Sequence, residues 1–150
     1  MTDQWTDAHQ AELERIVGAL EREPPVSDDA LQELVTHVSA TYDSSLPQDY
    51  VAFLRIADGA DGDLESGAPI LFWKAELLAQ VNEEYESAEQ MPGLLVVGSD
   101  AGDLVYGIDL RKDAPSERYV ETEDVSMEWD YILWRGRTLL DLLRHVNDHR

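Results

Sequence analysis

Apolar residues in the first third of the chain recur with a helical period. Leu13, Ile16, Val17 and Leu20 fall at i, i+3, i+4 and i+7, which predicts an amphipathic helix over 7–22. Pro24 and Pro25 end it, because proline removes an amide donor and clashes with the preceding turn. Ser27 is placed to cap a second helix, with Asp28 and Asp29 in its positive first turn. The stripe of that helix is Leu31, Leu34, Val35, Val38 and Tyr42. Pro47 suits the first turn of a third helix that carries Tyr50, Phe53, Leu54 and Ala57 on one face. This helix stops in Asp58-Gly59-Ala60-Asp61-Gly62-Asp63, where two glycines permit left-handed backbone turns.

Beyond Ala68 the pattern changes. Pro69-Ile70-Leu71-Phe72-Trp73 is a short apolar run that predicts a buried strand. A fourth helix over 74–88 presents Leu77, Leu78, Val81 and Tyr85, and Met91-Pro92-Gly93 breaks it. The run over 94–98 reads as a strand buried on both faces, and 99–103 as a tight turn. In the next strand Leu104, Tyr106, Ile108 and Leu110 point one way. A strand near a sheet edge is expected over 118–122. Another is expected over 127–134, with Met127, Trp129, Tyr131 and Leu133 on one face. Leu139, Leu142, Leu143 and Val146 mark a closing helix. Strands joined by short turns imply antiparallel pairing. The expectation is therefore an α+β fold: a mainly antiparallel sheet of about four to six strands, helices packed on one side, N-terminal helices and a C-terminal helix.

With 150 residues the chain reads as one domain over 1–150. Residues 1–25 form an N-terminal helical extension and 28–146 the core. Glu23-Pro24-Pro25 is a short hinge, so the first helix either packs on the body or extends from it. Trp5 precedes that helix and is either exposed or a staple for it.

Charge narrows the functional classes. The formal net charge is −21, which repels a phosphate backbone and an anionic membrane surface and attracts a basic protein or a cation. Direct nucleic-acid and membrane binding are therefore not expected. The blander alternative is that the acidity only keeps the protein soluble. No cysteine is present, which removes disulfides, thiolate metal sites and cysteine nucleophiles. The first residues carry no basic region followed by an apolar run, and no apolar stretch approaches the roughly 20 residues that cross a bilayer. A cytoplasmic location is expected.

Candidate chemistry is sparse. No Gly-x-Ser-x-Gly elbow surrounds Ser99, since Val97 and Ala101 occupy the glycine positions, and no glycine-rich phosphate loop exists. His145 and His149 share a helix face, and with Asp141 or Asp148 they form a weak metal candidate. The acidic loop Asp58, Asp61, Asp63 and Glu65 offers hard oxygen ligands for calcium, yet Ser66 and Phe72 occupy the glycine and final glutamate places of the EF-hand pattern. No catalytic residue, metal or cofactor is expected. Distribution says more than the total charge. No Lys or Arg lies between Lys74 and Arg111, a stretch holding eight acids, and a second acidic run follows from Glu117 to Asp130. The partner-binding candidates are Asp58, Asp61, Asp63, Glu65, Asp100, Asp103, Glu121, Glu123 and Asp124.

The stretch Leu46-Pro47-Gln48-Asp49-Tyr50-Val51-Ala52-Phe53-Leu54, followed by Asp58-Gly59, resembles the Leu-Pro-x-Asp-Tyr-x-x-Phe-Leu…Asn-Gly signature of the SUKH superfamily. These are the proteins similar to the fungal regulator of cell-wall assembly. Residues 95–109 are similar to the family's second motif: an apolar strand, a Gly-x-Asp-x-Gly-x turn, then an alternating strand with an aromatic residue. The closing helix also fits. The resemblance covers roughly 28–146, and Asp58 stands where the family often has asparagine. It implies one α+β domain without catalytic residues. Many bacterial members look like immunity proteins that neutralise secreted toxins, often nucleases. Here that implies an acidic binding protein for a basic toxin. The alternatives are an intracellular regulatory or scaffold module, and a calcium-binding or carboxylate-based enzyme.

Overall fold

A computed structural model describes residues 5–149. The reading of the N-terminus as lacking a secretion signal concerns in part residues 1–4, outside the described residues. The Thr6 hydroxyl accepts the His9 amide at 3.2 Å while His9 Nδ1 accepts the Thr6 amide at 3.1 Å. This reciprocal cap starts helix α1, Asp7–Gly18. Trp5 is a staple: its indole N–H donates to Gln10 Oε1 at 2.9 Å, and its ring packs against the core. The helix ends sooner than its apolar stripe predicts, because residues Glu21–Arg22 form a short strand, β1. Leu13, Val17 and Leu20 are buried, so the first helix packs on the body.

Ser27 caps α2, Asp28–Tyr42, by accepting the Ala30 amide at 3.1 Å. The helix closes at Asp43 in the left-handed region (φ 52°). Helix α3 spans Gln48–Ile56. The remaining strands are β2 (Ala60–Asp63), β3 (Pro69–Phe72), β4 (Leu94–Ser99), β5 (Leu104–Asp109), β6 (Tyr119–Glu123) and β7 (Trp134–Gly136). They form one sheet in the order β1-β2-β3-β4-β5-β6-β7 with every neighbour antiparallel. The fold is α+β, with seven strands where four to six were expected.

The additional strands follow from pairing rather than from local pattern. Ala60-Asp61-Gly62-Asp63 carries no apolar alternation, but it lies between β1 and β3 and bonds to both. Two further expectations are corrected. The predicted helix over 74–88 divides into a 3₁₀ turn (Ala75–Leu77), α4 (Leu78–Glu84) and α5 (Ser87–Gln90), with Glu86 left-handed (φ 55°) between the last two. Buried Asn82 directs this break. Its amide donates to the Leu78 and Val96 carbonyls, and its Oδ1 accepts from Ser87 Oγ at 2.9 Å and the Val96 amide at 2.7 Å. The predicted strand over 127–134 is instead two 3₁₀ turns, Asp124–Ser126 and Trp129–Tyr131, before β7. Met127 is buried, whereas Tyr131 and Leu133 are exposed, so the alternation there does not mark one buried face.

Two cores flank the sheet. Leu95, Val97, Tyr106, Ile108 and Tyr119 pack under α1, α2, α3 and helix α6, Leu139–Asp148. Opposite them Leu94, Val96, Val105 and Val120 meet Val81, Met91 and Met127. The alternation of Leu94/Val96 with Leu95/Val97 explains why β4 is apolar at every position. The longer helices share one face, but the expectation that all helices pack on one side is corrected, because Val81 of α4 joins the opposite core. The other face is covered by α4, α5 and the 124–133 segment. Leu139, Leu142, Leu143 and Val146 bury one side of α6, each contributing roughly 1.5–3 kcal/mol relative to exposure.

Candidate partner-binding surface

The antiparallel order gives the sheet two chemically distinct ends. Strands β2, β4 and β6 run the same way, so the residues that follow them collect at one end. Asp63 and Glu65 come from the β2–β3 turn, Asp100 and Asp103 from the β4–β5 turn, and Glu123 and Asp124 from the end of β6. Asp61 lies two residues back on β2. The backbone joins part of this rim directly, since the Asp124 amide donates to the Asp103 carbonyl at 2.8 Å. Among the described residues none of these seven carboxylates forms an ion pair. The Tyr85 phenol registers their field. Burial first, then the charges of Asp124, Asp100 and Glu84, hold its pKa above the ordinary value.

The opposite end carries Arg111, Lys112, Arg118, Arg135 and Arg137, five of the eleven Lys and Arg. Four of them are tied down. Arg111 and Arg135 meet the fully buried Asp109 at 2.8 and 3.3 Å, Lys112 meets Asp43 at 2.6 Å, and Arg137 meets Glu117 at 3.4 Å. Burial works to raise the Asp109 pKa, but its hydrogen bonds from Arg111 and Arg135 and the Arg111 charge outweigh it and hold it below the usual carboxylate value.

Two of the nine sequence candidates turn inward. Asp58 is buried and its Oδ1 accepts the Ala75 amide at 2.8 Å, which anchors the start of the 74–90 segment. Glu121 is buried beside His145, with Nε2 3.0 Å from its Oε1. The His145 ring stacks on Trp134 with centroids 4.4 Å apart and lies 4.4 Å from the His149 ring. Asp100 has a turn-building role too: its Oδ1 accepts the Gly102 and Leu104 amides at 2.8 and 3.0 Å. Among the described residues no three His, Asp or Glu side chains gather in a way that could hold a metal ion. Among them, too, no helix is long and apolar enough to cross a membrane.

Asp49 is the polar residue that residue-type reasoning passes over. Its Oδ1 accepts the Tyr119 hydroxyl at 2.6 Å and its Oδ2 accepts the Leu139 amide at 2.7 Å. One carboxylate thus joins α3, β6 and the first turn of α6. Burial pushes its pKa above the ordinary value, only partly offset by these bonds. The available signal was an aspartate next to a tyrosine inside an otherwise apolar helix face. Asn82 carried the same kind of signal, lying one turn after Leu78 on an inward stripe.

Fold and surface together define a small acidic α+β domain with a carboxylate rim at one end of its sheet. The chain belongs to the SMI1 / KNR4 family (SUKH-1), whose model matches residues 25–144. The match begins after β1 and ends within α6, so α1 and β1 lie outside it. No significant match was found among curated proteins. Membership fits immunity-protein or regulatory-module roles in a family that is generally non-enzymatic.

Proposed function

We propose that this chain is a non-enzymatic binding protein of the cytoplasm that neutralises a basic protein toxin of the nuclease type by docking its carboxylate rim on the toxin. The observation carrying the reading is the rim itself. Asp61, Asp63, Glu65, Asp100, Asp103, Glu123 and Asp124 form no ion pair among the described residues. A nuclease groove is basic because it holds a polyanion, so an acidic protein suits the same groove. Such a pair associates quickly and weakens with salt.

The test uses the product of any toxin-like reading frame beside the gene. Affinity is measured by calorimetry at low and high salt, for the wild-type chain and for an Asp103→Asn, Glu123→Gln, Asp124→Asn variant. A complex that loses at least about tenfold in affinity on both changes is the expected result. A complex indifferent to salt and to the three substitutions defeats the docking mode. A stable complex with a non-toxic cellular protein moves the assignment to a regulatory module.

A further inference from the structure

We propose that the 124–133 segment is the apolar centre of this docking surface, fitted to a cationic protein segment that presents an aliphatic or aromatic side chain between Lys or Arg residues. The proposal rests on the acidic-rim reading and adds to it the place and chemistry of contact. Five large hydrophobic side chains are exposed among the described residues, and three of them, Val125, Tyr131 and Leu133, lie within nine positions of each other. Val125 is 81% exposed, Tyr131 59% and Leu133 53%. Isolated exposed apolar residues are ordinary, but a local concentration edged with charge marks an interaction surface.

The segment is held from beneath. Met127 is buried in the smaller core, and the Trp129 indole donates to the Pro92 carbonyl at 3.0 Å. The Arg111 guanidinium lies 3.6 Å from the centroid of the Trp129 ring. Backbone bonds from Asp124 to Asp103, Tyr131 to Glu128 and Leu133 to Glu121 fix the path. Val125, Tyr131 and Leu133 are thus exposed on a fixed backbone, which lowers the ordering cost of binding. Glu123, Ser126, Asp130, Tyr131, Ile132 and Leu133 line a depression of about 430 Å³ able to receive a side chain.

Charge selects the occupant. Glu123 and Asp130 line the depression with Tyr131 and Leu133, and Asp124 and Glu128 neighbour the apolar residues in sequence, so the flanks of the partner segment are cationic; the nearby Arg111 and Arg135 lie over the Trp129 ring and are already paired with Asp109. A second copy of this chain would bring the same carboxylates to a two-fold contact and set like charges together. The paired arrangement of apolar centre and charged rim is that of interfaces in which a few residues carry most of the affinity.

The test is an amide NMR titration of the full chain with two synthetic peptides of equal charge, Arg-Arg-Leu-Arg-Arg and Arg-Arg-Ser-Arg-Arg. The leucine peptide should shift the amides of 124–133 and bind roughly tenfold more tightly, the increment expected from burying one leucine side chain. Val125→Ser and Tyr131→Ser, each checked for an unchanged fold by its spectrum, should remove the leucine preference and leave the serine peptide's binding as it was. Equal, salt-sensitive binding of both peptides would overturn the apolar centre while leaving the acidic-rim reading intact. Absence of binding by either peptide would overturn both. Shifts from the leucine peptide confined to residues outside 124–133 would also overturn the proposal.

Discussion

Asp49→Ala tests whether one buried carboxylate ties three elements together. The substitution strips the Tyr119 hydroxyl and the Leu139 amide of their acceptor, both in the protein interior. Each orphaned donor costs about 1–3 kcal/mol. Against this stands a gain, because burial disfavours the Asp49 charge, as its raised pKa records. The net loss is about 3 kcal/mol, which at a urea slope of about 1.5–2 kcal/mol per molar moves the midpoint down by roughly 1.5–2 M. Asp49→Asn should cost much less, about 1 kcal/mol. Its carbonyl can accept the Leu139 amide, and its NH₂ can donate to a Tyr119 hydroxyl rotated to accept. Tyr119→Phe should partly rescue Asp49→Ala, because it removes the hydroxyl left stranded. The assay is urea unfolding followed by circular dichroism for the two single variants and the double. Loss of less than about 1 kcal/mol in Asp49→Ala, or additivity within about 0.3 kcal/mol across the cycle, would refute the reasoning.

The same carboxylates set opposite pH trends. Asp109 has a folded pKa below 3.8, so its contribution is complete above 3.8 and lost as pH falls through the lower folded value. Asp109→Asn should therefore flatten the acid limb of a stability–pH profile measured below pH 3.8. Asp49 has a folded pKa above 3.8, so the native state binds more protons there and stability falls as pH rises from 3.8 through the folded value. Asp49→Asn should remove that slope. Leu13→Ala, in the helix outside the family match, should cost about 3 kcal/mol in denaturant titration, because Leu13 is fully buried. Gly98→Ala should lower thermal stability by about 2 kcal/mol or more, since an added Cβ would lie 2.7 Å from the Leu71 carbonyl oxygen and 2.9 Å from the Phe72 ring.

What the sequence revealed follows the strength of each local signal. The α2 stripe, the all-apolar β4 and the alternation of β5 were legible because each buries its pattern against a continuous core. The closing helix was legible for the same reason. β1 and β2 were not, because Glu21-Arg22 and Ala60-Asp61-Gly62-Asp63 become strands through their neighbours. The 127–134 stretch misled because Trp129 and Met127 are anchors for a turn, whereas alternation assumes a strand. Among the candidates, membership of an acidic run could not separate Glu123, which is exposed, from Glu121, which faces His145. Alternation cannot separate them either, because both lie on one face of β6; position along the strand does, since Glu123 is its last residue while Glu121 lies beside His145 of α6.

The location of charge matters more here than its sum. The rim and the Arg-rich end stand at opposite ends of six-residue strands, about 17 Å apart at 3.3 Å per residue. That is roughly twice the Debye length of about 8 Å at physiological ionic strength. The cations beyond the strand ends therefore do little to neutralise the rim, and Arg135, which lies within β7 opposite Val120, is like Arg111, Lys112 and Arg137 already engaged with a carboxylate of its own. A partner approaching the rim meets local carboxylates rather than the molecular average. The steep part of any salt dependence then belongs to Asp100, Asp103, Glu123 and Asp124. Neutralising exposed acids of α2 such as Asp29 and Glu33, remote from the rim in sequence and on another layer of the fold, should change the total charge by as much and the association rate by far less.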